Sequence, residues 1–399
     1  MGRLGVVNAP FARRRQGLGR QGVRTRPALV LLLCLLAASS LAASVRATPP
    51  PSPRARAWLV ENPLTGQVLA SHDVGRRMPI ASITKLMTLI VSLGRLRLDQ
   101  IVRVDPRAAA VGQESIYLSA GEEISVADLV KGALIQSAND AADALALAAA
   151  PSFPAFAALM NAKARSLGLS ETHFVRPDGL DAPGEYSSAR DVTRLALAAM
   201  RIPIVRKTVD EQTAVIEGGR VLHTWNDLLG VFPGVFGVKT GNTSGAGWCQ
   251  VAAARDDGVT IYATILGSPS ESRRDADLER LLSYGLAQYR QVEAVAPGRD
   301  YAEVELPDGR ASMSLVAAAP LAAATRVGTV LTERVVAPIS VALPVRAGET
   351  LGRIEVYDAG RLVGERALVA SRSEGAPGLA GRIAWYAGRT IHHLVGILT

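Results

Sequence analysis

Pro79-Ile80-Ala81-Ser82-Ile83-Thr84-Lys85-Leu86-Met87-Thr88 sets a serine three residues ahead of a lysine at the opening of an apolar, helix-forming run. At that spacing on a helix the two side chains share a face. A serine hydroxyl is a weak nucleophile until a neighbour takes its proton, and a neutral amine can take it. Arginine cannot, because it is never deprotonated in a protein. The chain has only five lysines (Lys85, Lys131, Lys163, Lys207 and Lys239) among 44 basic residues, and two of the five lie in motifs. For Lys85 to be neutral near pH 7 its pKa must fall through burial and a nearby positive charge. Lys239 is expected to supply that charge. Ser-x-x-Lys alone is common by chance, so its weight depends on what accompanies it.

Two further motifs follow in order. Ser137-Ala138-Asn139-Asp140 has a bland reading as a helix N-cap, a serine followed three residues later by an acid. It has a functional reading too. A loop serine between two helices can turn its hydroxyl into a cleft and pass a proton to a departing amine, while the Asn139 amide bonds to Lys85 or to a substrate peptide. Lys239-Thr240-Gly241, followed by Asn242, reads as an edge strand whose backbone pairs with an extended peptide. Lys239 and Thr240 would then meet a carboxylate, and Gly241 would permit close approach. Backbone N–H groups of Ser82 and Asn242 could form an oxyanion hole. None of the five histidines lies in a motif.

Around these motifs the pattern is α+β. Residues 57–60 and 67–70 read as two strands about the turn Pro63-Leu64-Thr65-Gly66. Residues 82–199 are mostly helical, and Ser125 with Asp128 marks one helix start ahead of Val126, Leu129, Val130, Ala133 and Leu134. Strand patterning returns at 237–240, then in a hairpin of 248–254 and 259–266 about Asp256-Asp257-Gly258. A helix is expected over 275–289. The catalytic domain is set at 57–292, with its sheet completed by distant segments. Beyond it, 301–306, 312–316, 326–331, 339–343, 354–357 and 362–368 read as short strands of a small all-β domain over 297–371. Residues 372–381 read as a linker. Residues 382–399 read as an amphipathic helix, with Ile383, Ala387, Ile391, Leu394, Val395 and Leu398 on one arc and Arg382, Arg389 and His393 opposite, suited to a membrane surface. The alternative is that this arc packs on the β domain.

At 399 residues, 48% hydrophobic and 20% charged, the chain is globular and long enough for two cores. Its net charge of +8 belongs to the first 47 residues, which hold eight arginines and no acid. The rest has 36 basic and 36 acidic side chains, without the concentrated basic face of a nucleic-acid binder. Residues 1–47 read as a signal peptide: an arginine-rich start, an apolar stretch from Ala28, then small residues. An uncleaved anchor over 28–45 is the alternative. A proline-rich linker, 48–56, follows. Without the leader only Cys249 remains, so neither an intrachain disulfide nor a thiol-based metal site is expected.

The three motifs together are the set found in class A β-lactamases and penicillin-binding proteins. The words around them, with Pro177-Asp178-Gly179-Leu180, Tyr186-Ser187-Ser188-Ala189-Arg190-Asp191 and Ala246-Gly247-Trp248-Cys249, resemble the low-molecular-mass D-alanyl-D-alanine carboxypeptidases. The resemblance implies a serine β-lactamase/DD-peptidase-like domain, an antiparallel sheet with a helical subdomain, then the β-rich domain and the membrane tail. It implies an exported enzyme without cofactor or metal, acting on peptidoglycan stem peptides ending in D-Ala-D-Ala and trapped by β-lactams. On this likeness Ser82 attacks the carbonyl between the two D-alanines, Lys85 takes its proton, and Ser137 helps protonate the leaving group. Lys239, Thr240 and an arginine hold the terminal carboxylate, with Arg274 in that arginine's place and Arg273 as the fallback. Arg176 and Asp178 depart from the family's usual Asn and His. The rival readings are a DD-endopeptidase, a β-lactamase using Glu171 or Glu185, and a non-catalytic β-lactam sensor. Neither glutamate is followed by Asn four residues on, which disfavours the β-lactamase.

Overall fold

The computed structural model describes residues 4–7, 49–307, 310–376 and 378. Among the described residues two compact units emerge, residues 49–289 and residues 290–378 with 4–7. In the first unit, strand β1 (Ala57–Asn62) turns back into β2 (Gln67–His72), with the Asn62 side chain accepting from Leu64 N at 2.9 Å to hold the turn. Three later strands, β3 (Val235–Thr243), β4 (Gly247–Asp256) and β5 (Val259–Ser268), complete an antiparallel sheet in the order β2-β1-β5-β4-β3. The distant segments thus close one sheet, as the sequence pattern suggests, and the Lys239-Thr240-Gly241 motif lies on its edge strand.

Strand β5 is apolar almost throughout because both of its faces are covered. On one face Ile261 meets Gly285, and on the other the Thr264 hydroxyl lies 2.7 Å from that of Thr193. Those neighbours belong to helices α6 (Glu271–Ala287) and α5 (Ala189–Ala199). Helix α6 starts four residues before the expected 275, because Ser270 caps it by accepting from Arg273 N at 3.2 Å.

The helical part is organised around α1 (Lys85–Leu93), which is entered through a tight 3₁₀ turn over Ala81–Thr84. Eight of its nine residues are buried, so it serves as an axis and not a surface helix. Ile83, Leu86 and Leu89 are fully buried, and burial of each such side chain is worth about 1.5–3 kcal/mol. Around this axis pack α2 (Val126–Leu134), α3 (Asn139–Ala149) and α4 (Phe153–Ser166). Ser125 caps α2 as its sequence requires, accepting from Asp128 N at 3.1 Å.

The second unit is β-rich. Strands run in the order Leu4–Val7, Thr332–Pro338, Thr350–Asp358, Arg361–Ala370, Met313–Ala317, Asp300–Val304, and Tyr289–Val295 pairs separately with Leu321–Arg326. Val304, Met313, Leu315, Ile354, Val356 and Leu368 form its core. Two expected strands are corrected. Of residues 326–331, Arg326 ends the strand Leu321–Arg326 and 327–331 instead make the turn to Thr332–Pro338, with Thr329 N donating to Arg326 O. Residues 339–343 contribute an isolated bridge between Ser340 and Glu305. Leu4–Val7, within the expected leader, pairs with Thr332–Pro338, while residues 8–47 and the expected helix 382–399 lie outside the described residues.

Candidate active site

The 3₁₀ turn puts Ser82 at the mouth of α1 and Lys85 in its first position, so the lysine is pulled fully into the core while the serine is not. Lys85 Nζ lies 2.8 Å from Ser82 Oγ, 2.7 Å from Asn139 Oδ1 and 2.7 Å from the Asp178 carbonyl oxygen. Three oxygens therefore fix the amine, one of them the Ser82 hydroxyl. Asn139 is itself held by donating from Nδ2 to Gly112 O at 2.9 Å.

Ser137 precedes α3 with φ +59°, and Ala138, not Ser137, is the N-cap. The capping reading of this motif is thereby set aside. Asp140 does not serve it either, since its carboxylate accepts from Ser115 Oγ and the N–H groups of Ile116 and Leu118. The Ser137 hydroxyl instead accepts from Lys239 Nζ at 2.8 Å, and Lys239 also donates to Thr240 O at 3.0 Å. The first motif reaches the second through Asn139, and the second reaches the third through Ser137.

Gly241 is also held to glycine by the protein's own packing. A Cβ at this position would lie 2.8 Å from Ile80 O, 3.0 Å from Ser82 N and 3.1 Å from the Ala81 Cβ. The glycine lets β3 cross the 3₁₀ turn that carries Ser82 at backbone distance. On the other side of the turn, Gly179 has φ +80°, and a Cβ there would run into the Ala81 carbonyl. Asn242, the next residue along β3, is exposed. Thr240 is buried.

Burial lowers the Lys85 pKa to about 8, against the opposing pull of Asp178, Asp143, Glu114 and Glu185. Lys239 is lowered by burial first and by the Lys85 charge second. The repulsion expected to neutralise Lys85 thus weighs on Lys239, and desolvation acts on both. Of the acids acting on Lys85, Asp143 and Glu114 belong to none of the quoted motifs. Arg176 grips the Asp178 carboxylate with two bonds of 3.0 and 2.6 Å, and Asp143 is pushed up to about 8 by burial and then by Asp178. Asp143 stands four residues after Asn139, the one charged residue in the alanine- and leucine-rich run 141–149, a signal that could have found it. The Asp178 contact is a backbone carbonyl, which no residue type announces.

Arg274 is buried on α6, with its guanidinium 5.5 Å from the Trp248 ring centroid on β4, opposite Asn242. Its Nε donates to Asp275 at 2.8 Å. Arg273 turns away to Asp277 at 3.1 Å. The β-lactamase candidates are both committed elsewhere. Glu185 accepts from Thr84 Oγ1 at 3.0 Å and Arg176 N at 3.0 Å, and Glu171 lies 3.7 Å from Arg190.

Comparison with known proteins gives the family. The family model described as D-alanyl-D-alanine carboxypeptidase matches residues 44–270. The chain is 30% identical to the D-alanyl-D-alanine carboxypeptidase DacC of Escherichia coli over 87% of its own length and 90% of the relative's. It is 28% identical to DacF of Bacillus subtilis, covering 77% of this chain and 82% of that one. Among solved structures, penicillin binding protein 5 of Haemophilus influenzae superposes with a TM-score of 0.59 at 26% identity, covering 82% of this chain and 99% of the other.

Proposed function

The chain belongs to the D-alanyl-D-alanine carboxypeptidase family of serine peptidases, and on that premise we propose how its residues carry the reaction. It is a serine-type D-Ala-D-Ala carboxypeptidase, removing the terminal D-alanine from peptidoglycan stem pentapeptides and binding penicillin. The observation that carries the residue assignment is the 2.8 Å separation of Lys85 Nζ and Ser82 Oγ, with the amine buried. Neutral Lys85 takes the Ser82 proton as Oγ bonds to the carbonyl carbon between the two D-alanines. The oxyanion is held by the backbone N–H groups of Ser82 and Asn242, a placement supported by the close crossing of β3 over the nucleophile turn.

The tetrahedral species then expels D-alanine, whose amine takes a proton through the Ser137 hydroxyl; Lys239 resupplies that hydroxyl and regains a proton from protonated Lys85, which returns to its neutral form. That route is supported by the 2.8 Å contact between these two side chains. Lys239, Thr240 and Arg274 bind the terminal carboxylate, and the edge strand pairs with the extended peptide. Water, deprotonated by Lys85 after that amine has given up its proton, hydrolyses the acyl-enzyme and frees Ser82. Release of D-alanine from a monomeric pentapeptide, measured beside a cross-linked dimer, tests the assignment. Release from the pentapeptide supports it, and cleavage of the dimer alone makes the protein an endopeptidase.

The enzyme works outside the cytoplasmic membrane, as a cell-wall enzyme of this family. Removal of residues 1–47 as a signal peptide and attachment of residues 382–399 to a membrane surface complete the proposal. The arginine-rich apolar leader and the amphipathic pattern of the tail support it. Sedimentation with anionic vesicles, full chain against one ending at residue 381, tests the tail. Equal sedimentation would contradict that part.

A further inference from the structure

The Arg274 guanidinium, proposed above to anchor the substrate's terminal carboxylate, is not free. Its Nη2 lies 2.7 Å from Asp275, 3.2 Å from Asp227 and 3.7 Å from Glu271. From this we infer that Asp227 is a specificity-determining residue, a carboxylate of the protein's own that competes with the substrate's carboxylate for Arg274. The inference rests on the proposed role of Arg274.

The three acids are not equivalent. Glu271 and Asp275 sit on α6 with Arg274 itself, at the spacings i,i+3 and i,i+1, so they accompany the arginine whatever approaches it. Asp227 comes from a separate segment, after the strand Arg220–His223. Its side chain is 56% exposed, against 39% for Glu271 and 17% for Asp275, so it is the partner that an incoming anion can replace. Its position is built. The neighbouring Asn226 is buried and accepts from Gln250 Nε2 at 2.8 Å, and Gln250 stands opposite Thr240 in the β3–β4 register. Further along, Leu229 O accepts from Gln212 Nε2 at 2.9 Å. The segment is thus tied to the third motif on one side of Asp227 and to Gln212 on the other.

The electrostatic consequence follows from the count. One guanidinium faces three carboxylates, so a fourth from the substrate is opposed until one gives way. Binding of a peptide acid must break the Asp227 contact. A peptide whose C-terminus is an amide has no such exchange to make.

The test compares KM for a peptide ending in D-Ala-D-Ala with KM for its C-terminal amide, in wild type, Asp227→Asn, Asp227→Ser, Asp227→Glu and Arg274→Gln. Asp227→Asn and Asp227→Ser are expected to lower KM for the acid by about two- to fivefold, the worth of one partly exposed ion pair. The kcat values should stay within twofold and KM for the amide should not move. Asp227→Glu, which keeps the charge, should return KM towards wild type. An unchanged or raised KM for the acid in both neutral variants overturns the inference. Arg274→Gln separates the two levels. If it raises KM for the acid alone while Asp227→Asn and Asp227→Ser change nothing, the competition is refuted and the anchor stands. If it affects acid and amide alike, the anchor role falls, and the competition with it.

Discussion

Replacing Gly241 with alanine would put a methyl group where the edge strand crosses the nucleophile turn. The added carbon would meet Ile80 O at 2.8 Å, where ordinary contact begins at 3.4 Å, so strand and turn must part by about 0.6 Å. Two of the three nearest atoms, Ile80 O and Ser82 N, are backbone, so no flexible side chain can swing aside to absorb the strain. Overpacking of this kind costs about 1–3 kcal/mol of stability, a loss of a few degrees in Tm for a domain of this size. The rate should suffer more. A displacement of about 1 Å at a reacting centre costs about a hundredfold, so 0.6 Å corresponds to roughly tenfold, borne by the oxyanion site. The assay is the second-order rate of acylation by a fluorescent penicillin, with thermal unfolding as the control for folding. Acylation within twofold of wild type in a folded Gly241→Ala protein would refute the idea that this glycine sets the distance between strand and nucleophile.

Three other outcomes follow from the site. With the Lys85 pKa lowered to about 8, the neutral base is lost as pH falls below that value. Acylation should therefore rise about fiftyfold from pH 6 to pH 8 and level off above it; a rate still climbing tenfold per unit at pH 9.5 would mean the amine is not desolvated. Lys85→Gln should keep the fold and lose about 10²–10⁴ in acylation, and activity within tenfold of wild type would assign the base elsewhere. Ser137→Ala leaves Lys239 without its 2.8 Å acceptor. It should slow D-alanine release by about 10² or more, and a pH profile identical to wild type at full rate would remove Ser137 from the relay.

The parts that sequence made legible are those where one residue type has one use. Ser125 ahead of Asp128 marked a helix start because a capping hydroxyl has a fixed partner, and Asp257-Gly258 marked a hairpin because few residues tolerate its backbone. Ser82, Lys85, Ser137 and Lys239 were legible because a serine activated without histidine needs an amine close by. Contacts made by backbone were not legible. The Asp178 carbonyl on Lys85 depends only on where the chain passes, and the packing demand on Gly241 depends on a crossing between segments some 160 positions apart. For the Lys85 shift burial acts as expected, but that the repulsion between the two lysines would fall on Lys239 instead was not legible. Charges can be counted along a sequence, whereas the depth of a side chain in a core cannot. In the β-rich unit, weakly alternating segments such as 326–331 read as strands, although the chain turns there.

The central claim is that Ser82 forms the acyl-enzyme. It is tested most directly by intact mass, with peptide mapping, of the protein after incubation with benzylpenicillin. One equivalent of a long-lived adduct on the peptide carrying Ser82, absent from Ser82→Ala, is the predicted result; an adduct that persists in Ser82→Ala, or maps to another residue, would contradict it.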